Sequence, residues 1–288
     1  MKRAAIILPL ALALSACGDG TNPLFSVTED DGGGGGSSTC DGNTTCSGEV
    51  NRFTYNPSTD VVSINNLPFD LDGTYVRDVT LDRNGFRGYR NSAGDEDYVA
   101  LFSASLADKV SAGVVATDGY INFGYGGTMY TSTGATLPNQ GEATFEGPYA
   151  GLRVYEGDST EMGSSTGVVK LRMDFDDFDV VGAIDVLVVD RQAFDSNGNL
   201  IGDLPYLSGS TTDHDGIKIN ATDVVEVFPD SSTGGTGTLE GIFGGTVGAG
   251  LEGQVAGVVV ITSADDDSGL QVMERGAFIA DQTGFISP

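Results

Sequence analysis

The sequence has very few of the side chains on which enzyme and metal sites most often depend. Its 288 residues include one histidine and three cysteines. A single histidine, His214, excludes zinc sites built from several histidines and leaves one candidate acid–base group or haem ligand. Neither a His-Glu-x-x-His motif nor a Walker-type phosphate loop occurs. We therefore expect no catalytic set and no cofactor, and we expect His214 to lie in an exposed loop.

Basic residues are also scarce. Lysine and arginine total 14 against 41 aspartates and glutamates, which gives a net charge of −27. A nucleic-acid partner is disfavoured because its phosphates require cationic contacts. The same charge disfavours direct contact with anionic lipid surfaces. An acidic surface is typical of a chain that stays soluble through its charge, and a dedicated cation-binding role is the alternative.

The apolar run at the N-terminus, residues 4–14, is too short to cross a bilayer, which takes roughly 20 residues. It follows Lys2 and Arg3 and ends in Leu-Ser-Ala-Cys, which resembles the bacterial lipobox. We predict that residues 1–16 are a lipoprotein signal peptide and that Cys17 carries acyl chains such as palmitate, which anchor the protein to a membrane. An ordinary signal peptide with an incidental cysteine is the alternative. The residue after Cys17 is Gly18 and not aspartate. By resemblance to enterobacterial lipoproteins, such a residue permits sorting to the outer membrane.

Residues 17–46 have the composition of a flexible tether, with five successive glycines from Gly32 to Gly36. Once Cys17 is lipidated, Cys40 and Cys46 remain. Export to an oxidising compartment favours a disulfide between them, and two free thiols are the alternative.

The rest of the chain has the alternation and turn signals of β-strands. Residues 47–117 predict a small β-rich domain with six strand candidates. Arg83, Arg87 and Arg90 surround a predicted hairpin in this domain. They are candidates for a ligand-binding face, and ordinary charge-balancing surface residues are the alternative.

Residues 118–288 predict a closed antiparallel β-barrel of about eight strands, so the fold class is all-β. Alternation is clearest in residues 167–176, where Val169, Leu171, Met173 and Phe175 share one face. Glycines recur inside the C-terminal strands, Gly257 and Gly276 among them. Since glycine weakens a strand, it indicates a close backbone approach, a bulge or a tight bend.

Several segments resemble the barrel domain of the transferrin-binding protein B family. They are residues 241–258, the Gly-Ala-Phe at 276–278, and the earlier residues 146–151 and 169–175. The resemblance covers roughly residues 119–288. It implies a barrel that serves as scaffold, ligand-gripping loops, and a smaller "handle" domain before the barrel, for which residues 47–117 are the counterpart.

One segment has the spacing of a calcium loop, in which oxygen ligands alternate along the chain. Its candidate ligands are Asp195, Asn197, Asn199 and Asp203. Gly198 is misplaced for such a loop and its twelfth position is Tyr206 instead of glutamate. A plain Asn-Gly hairpin turn is therefore the alternative.

Together these features favour a monomeric outer-membrane lipoprotein, displayed at the cell surface, that binds a protein or an iron source through barrel loops and handle. A structural or adhesive envelope lipoprotein without a nutrient role is the second hypothesis. An enzyme that uses the acidic loops is the third, and no motif supports it.

Overall fold

The structure is a computed structural model that describes residues 38–40, 44–48, 50, 52–65, 67–68, 70–92, 96–119, 122–157, 162–176, 183–211, 214–264 and 269–287. All of them belong to one compact unit, 31–288. The signal peptide, Cys17 and most of the predicted tether lie outside the described residues. No helix in the described ranges is long and apolar enough to cross a membrane.

The N-terminal part of the described chain folds into a nine-stranded antiparallel sheet. Its order is β1-β2-β9-β8-β7-β6-β5-β4-β3, so β3 to β9 form a meander. A 3-10 turn at Val79–Leu81 lies between β5 and β6. The strands are β1 (Ser38–Cys40), β2 (Thr44–Gly48), β3 (Arg52–Asn56), β4 (Val61–Asn65), β5 (Thr74–Arg77), β6 (Arg87–Asn91), β7 (Tyr98–Ala104), β8 (Val110–Ala116) and β9 (Gly126–Ser132).

This sheet extends beyond the predicted limits of 47 and 117. At its start, β1 and β2 come from the segment predicted to be a tether, and at its end β9 comes from the segment predicted to begin the barrel. β9 pairs with β8 on one side and β2 on the other. β2 therefore covers a strand edge that would otherwise be open, and unpaired edges are aggregation-prone.

The register of β1 and β2 bears on the predicted disulfide. Cys40 pairs with Thr44, and Cys46 pairs with Ser38. The two cysteines are thus diagonal neighbours, whose Cα atoms lie about 7–8 Å apart in such a ladder. Disulfides span about 4.4–6.8 Å between Cα atoms. A disulfide between them stays a prediction.

The C-terminal part is a closed barrel of eight antiparallel strands, as the sequence predicts. Neighbouring strands pair in chain order, and the last strand, β20, pairs with the first, β11, along most of its length. The short β10 (Ala135–Thr136) pairs in parallel with β18, β14 (Leu200–Asp203) pairs with β13, and β16 (His214–Asp215) pairs with β17. The barrel strands are β11 (Glu142–Tyr155), β12 (Gly163–Asp174), β13 (Ile184–Phe194), β15 (Tyr206–Thr211), β17 (Lys218–Val227), β18 (Thr233–Thr246), β19 (Gln254–Ala264) and β20 (Gln271–Ile286).

Alternation along the barrel strands fills one half of the lumen with apolar side chains. The face predicted from residues 169–175 points inward, and its side chains are buried. Aromatic rings from other strands join them, and the rings of Phe145 and Phe243 meet edge to face with centroids 6.0 Å apart. This half of the barrel is therefore a packed core. Its members include Phe145, Leu171, Met173, Phe175, Val186, Ile219, Phe243, Val259 and Phe278.

The outer face of the barrel packs against the first sheet. β7 and β8 are buried on both faces, because one face closes the first domain's own core and the other meets the barrel. A single apolar cluster spans this junction, so the two sheets share a core there. It includes Val99, Leu101, Val114 and Ala116 from the first sheet and Ala150, Leu152, Val258 and Ala277 from the barrel.

Two strand glycines allow close packing of aromatic rings inside the barrel. A Cβ added at Gly276 would lie 2.0 Å from the Tyr149 hydroxyl oxygen, and one at Gly257 would lie 2.4 Å from the Phe278 ring. Both distances are far below van der Waals contact. The sequence predicts a close backbone approach, a bulge or a tight bend at such glycines, and here each glycine makes room for an aromatic ring.

Candidate functional site

The lumen changes character at one end of the barrel. We call this end the mouth: it is formed by the last residues of β11, β13, β17 and β19 and the first residues of β12, β15, β18 and β20. Here the inward positions carry buried polar and charged side chains in place of apolar ones. Charged groups that are buried in this way are expected to be paired. They are Tyr149 and Arg153 on β11, Arg191 on β13, Glu226 on β17 and Glu274 on β20.

Glu274 is the centre of this network. Its Oε1 accepts a hydrogen bond from the Tyr149 hydroxyl at 2.6 Å, and its Oε2 accepts one from Nη2 of Arg191 at 3.0 Å. Nε of Arg153 lies 3.5 Å from the same Oε2. Two guanidinium groups and a phenol thus share one carboxylate.

Arg191 links Glu274 to a second carboxylate. Its Nη1 donates to the Pro205 carbonyl at 2.6 Å and to Oε1 of Glu226 at 3.3 Å. The other Glu226 oxygen accepts from the Gly235 amide at 3.1 Å. The buried network holds two arginines and two glutamates, and its formal charges balance.

The protonation states follow from burial and from these contacts. Burial alone would raise the pKa of the Glu274 carboxyl, but Arg191 and Arg153 outweigh burial and hold that pKa below its usual range. Burial, reinforced by the Glu274 carboxylate, raises the pKa of the Tyr149 hydroxyl well above its usual value. Glu274 is therefore ionised and Tyr149 is a neutral donor at physiological pH.

A cleft of about 960 Å³ opens directly above the network. Arg153, Arg191 and Glu226 form its polar floor, and Asp190, Gln192 and Asp203 add polar groups to its lining. The rest of the lining is largely apolar. A pocket of this size with a few convergent polar groups is typical of a small-ligand site. Its apolar members include Ile201, Leu204, Pro205, Tyr206, Val227 and Phe228.

Glu274 should make the protein acid-sensitive. Its unfolded pKa is about 4.3, and its folded pKa is lower, so its stabilising contribution is present above the unfolded value and is lost as pH falls through the folded value. We expect the free energy of unfolding of the native protein to fall more steeply than that of Glu274→Gln below about pH 4. Urea unfolding at several pH values, followed by circular dichroism, measures this difference. Equal slopes would mean that Glu274 does not titrate in this way.

The three candidate arginines of the first domain lie near one another in sequence but do not form one patch. Arg87 and Arg90 lie three residues apart on β6, so strand alternation directs them to opposite faces. Arg87 donates to the Tyr55 hydroxyl at 2.7 Å, and Arg90 pairs with Asp78 at 3.3 Å and with Asp97.

Arg83 lies at the domain junction. Its Nε donates to the Ser164 hydroxyl at 2.9 Å on β12, and its Nη1 donates to the Asp82 carbonyl at 2.8 Å. Arg83 and Arg90 line one small crevice of about 130 Å³, which Arg87 does not reach. A ligand-binding role for these arginines stays a prediction.

The candidate calcium loop forms a compact turn after β13. Asp195 Oδ1 accepts hydrogen bonds from the Asn197 and Asn199 amides at 2.9 and 2.7 Å, and its Oδ2 accepts one from the Asn199 side chain at 2.9 Å. Gly198 has a φ of 81°, as an Asn-Gly turn requires. Asp203 accepts from Gln192. Across the described ranges, no three His, Cys, Asp or Glu residues are grouped to hold a metal ion. Calcium binding stays a prediction.

Two further features have a bearing on catalysis. His214 lies on the short strand β16, paired with Ile219. Residues 163–167 read Gly-Ser-Ser-Thr-Gly and match the Gly-x-Ser-x-Gly motif, but they lie within the strand β12. The nucleophilic serine of that motif requires a sharp strand-to-helix turn. Ser165 is instead a buried residue inside a barrel strand.

The charged network at the mouth is not among the sites predicted from the sequence. Its signal is present, because Glu274 lies in phase with the inward Val272, Gly276 and Phe278. Arg153 likewise lies in phase with Tyr149. A charge that falls on the apolar face of a predicted barrel strand is the pattern that identifies such a site.

No family model and no curated protein sequence matches the chain. Among solved structures, two mutants of Transferrin Binding Protein B from Haemophilus parasuis Hp5 match with 12% identity, over 85% and 84% of this chain and 46% and 45% of theirs, with TM-scores of 0.40 and 0.42. Intact Ap-TbpB, with N and C lobes, matches with 12% identity over 85% of this chain and 46% of that chain, with a TM-score of 0.43. The chain thus spans a little under half the length of these proteins. The closed barrel with a β-rich sheet before it is the architecture that the sequence predicts.

Proposed function

We propose that the chain is a lipoprotein, anchored to the outer membrane through Cys17 and exposed at the cell surface, that binds a protein or iron-source ligand without catalysing a reaction. The observation that carries the binding role is the mouth of the barrel, where large apolar side chains stand exposed around an open cleft. Leu200, Ile201 and Tyr206 are 56%, 53% and 39% exposed. Apolar and aromatic side chains grouped at a polar rim are typical of binding surfaces.

The architecture suits such a role. The barrel is closed and packed, and the first sheet is fixed to its outer face by the shared apolar cluster. A rigid scaffold positions its loops in advance, so little conformational entropy is lost when a ligand binds. The lipobox-like Leu-Ser-Ala-Cys sequence supports the anchor.

The test of this function combines exposure and capture. In intact cells, an added protease should remove the domain, and immobilised full chain should bind one member of a panel of iron-carrier proteins saturably. Ile201→Asp should weaken that binding about tenfold or more, because a charged group replaces an apolar contact at the interface. Surface plasmon resonance measures the affinity.

Leu251→Asp is the matched control. Leu251 is 47% exposed at the opposite end of the barrel, so its substitution should leave the affinity unchanged. A domain protected from protease in intact cells would contradict surface exposure. Saturable binding that both variants weaken equally would place the contact away from the mouth.

A further inference from the structure

Arg153 has an unusual combination of burial and unused donors. It is 6% exposed and lines the floor of the mouth cleft. Its Nε has no hydrogen-bond acceptor and meets Oε2 of Glu274 only at 3.5 Å. Its guanidinium carbon lies 5.8 Å from the centre of the Tyr155 ring. Its terminal amino groups donate to no acceptor among the described residues. A buried guanidinium without acceptors is costly unless something else supplies them.

The neighbouring charges are already engaged. Arg191 donates to Glu274, Glu226 and the Pro205 carbonyl. Glu226 also accepts from the Gly235 amide. Asp203 in the cleft lining accepts from Gln192, and Asp190 is the remaining acidic side chain there. Nε of Arg191 also has no acceptor, but both terminal amino groups of Arg191 are engaged. Among the cations that line the cleft in the described part of the chain, Arg153 therefore has the most donors to spare.

We propose that the cleft binds an amphipathic monocarboxylate. Its carboxylate accepts hydrogen bonds from the terminal amino groups of Arg153, the planar fork that matches a carboxylate best. Its apolar body lies along Leu204, Tyr206 and Phe228 toward the rim. This binding site lies within the mouth. Binding there does not depend on the proposed capture of a ligand at the cell surface, since it requires neither the lipid anchor nor exposure on the cell.

The charges around the cleft favour a ligand head group with one negative charge over a head group with two. The floor carries two arginines against Glu226 and Glu274, and Asp190 and Asp203 add negative charge to the lining. A phosphate dianion would therefore meet about twice the repulsion that a single carboxylate meets. One guanidinium with free terminal amino groups can bind one carboxylate through two hydrogen bonds. The apolar lining favours a hydrocarbon body over a sugar or a peptide.

Isothermal titration of the purified full chain with decanoate and with decylamine tests this proposal. The two probes share a chain length and differ in the sign of the head group. The protein carries a net charge of −27, so long-range electrostatics favour the amine. Tighter binding of decanoate can then come only from a local cationic site, and we expect saturable, one-to-one binding of decanoate with at least about a tenfold preference. Equal binding of both probes, or no binding of decanoate, would overturn the proposal.

Variants locate the site. Arg153→Gln should weaken decanoate binding about tenfold or more and remove the preference over decylamine, and Arg153→Lys should retain part of it. Arg172→Gln, which removes a half-exposed arginine on β12, should change neither. Ile201→Asp, at the rim and outside the buried network, should weaken decanoate binding even if Arg153→Gln does not fold. Unchanged decanoate binding in Arg153→Gln or in Ile201→Asp would place the ligand elsewhere and refute the assignment.

Discussion

Replacing Arg191 with methionine should destabilise the protein by about 3–5 kcal/mol, because it leaves two buried carboxylates without their shared cation. The Arg191 side chain is 1% exposed and contacts Glu226 and Glu274. Removal of one partner from a buried ion pair strands the other charge in a medium that solvates it poorly. The free energy of unfolding, measured by urea titration and circular dichroism, gives the loss directly.

An arginine of the same barrel supplies the control. Arg172 pairs with Glu142 at 3.0 Å and with Asp185 at 3.7 Å, and its side chain is 49% exposed. Arg172→Met should cost less than about 1 kcal/mol, since water solvates the remaining carboxylates. If Arg191→Met costs no more than Arg172→Met, the network at the mouth does not stabilise the barrel.

A second comparison separates stranded charge from lost packing. Adding Glu226→Gln and Glu274→Gln to Arg191→Met removes the uncompensated charges while keeping side-chain volume. The Tyr149 hydroxyl can still donate to an amide oxygen at position 274. Most of the lost stability should return, as it does when buried ion pairs are replaced as a set. Failure to recover would indicate that the methionine packs badly in place of the guanidinium.

The barrel strands are predictable from sequence because the alternation that specifies them is local. Residues 169–175 alternate cleanly, and a one-residue slip in register would invert the whole face. Their inward burial follows directly from that pattern. The turn at Asn197 and Gly198 is likewise specified by backbone chemistry, since glycine takes the positive φ that the turn needs.

The boundary between the first sheet and the barrel is not specified by local sequence. β9 has buried residues on both faces, and nothing in its own seven residues says that it pairs with β8 and β2 instead of with a barrel strand. The charged network has the same difficulty. Arg153, Arg191 and Glu274 come from three strands and meet only when the barrel closes. The sequence of one strand can show that a charge falls on the inward face, but it does not show which charged residues of other strands that charge meets.

Replacing Gly276 with alanine should destabilise the protein by about 3 kcal/mol, because the added methyl group has no space. It would lie 2.0 Å from the hydroxyl oxygen and 2.2 Å from Cζ of Tyr149. Tyr149 is fully buried and its hydroxyl is bonded to Glu274, so the ring cannot move aside without breaking the network. Urea unfolding of the single variant measures the cost.

For Gly202→Ala in the same barrel, we expect no loss of stability. An added Cβ at Gly202 meets no atom within 4 Å, and alanine restricts the unfolded chain more than glycine does. That variant should be neutral or more stable by up to about 1 kcal/mol. The contrast excludes a general effect of removing glycine from strands.

Tyr149→Leu identifies the ring as the cause of the Gly276→Ala effect. In the Tyr149→Leu background, Gly276→Ala should cost much less than it does alone, because the atoms that its methyl group would meet are gone. Residues in direct contact are expected to show such non-additivity, with coupling energies of about 0.5–3 kcal/mol. Additive costs would mean that the strain at Gly276 arises from the backbone of the neighbouring strands, and that the glycine permits closure between β11 and β20 without any role for the ring.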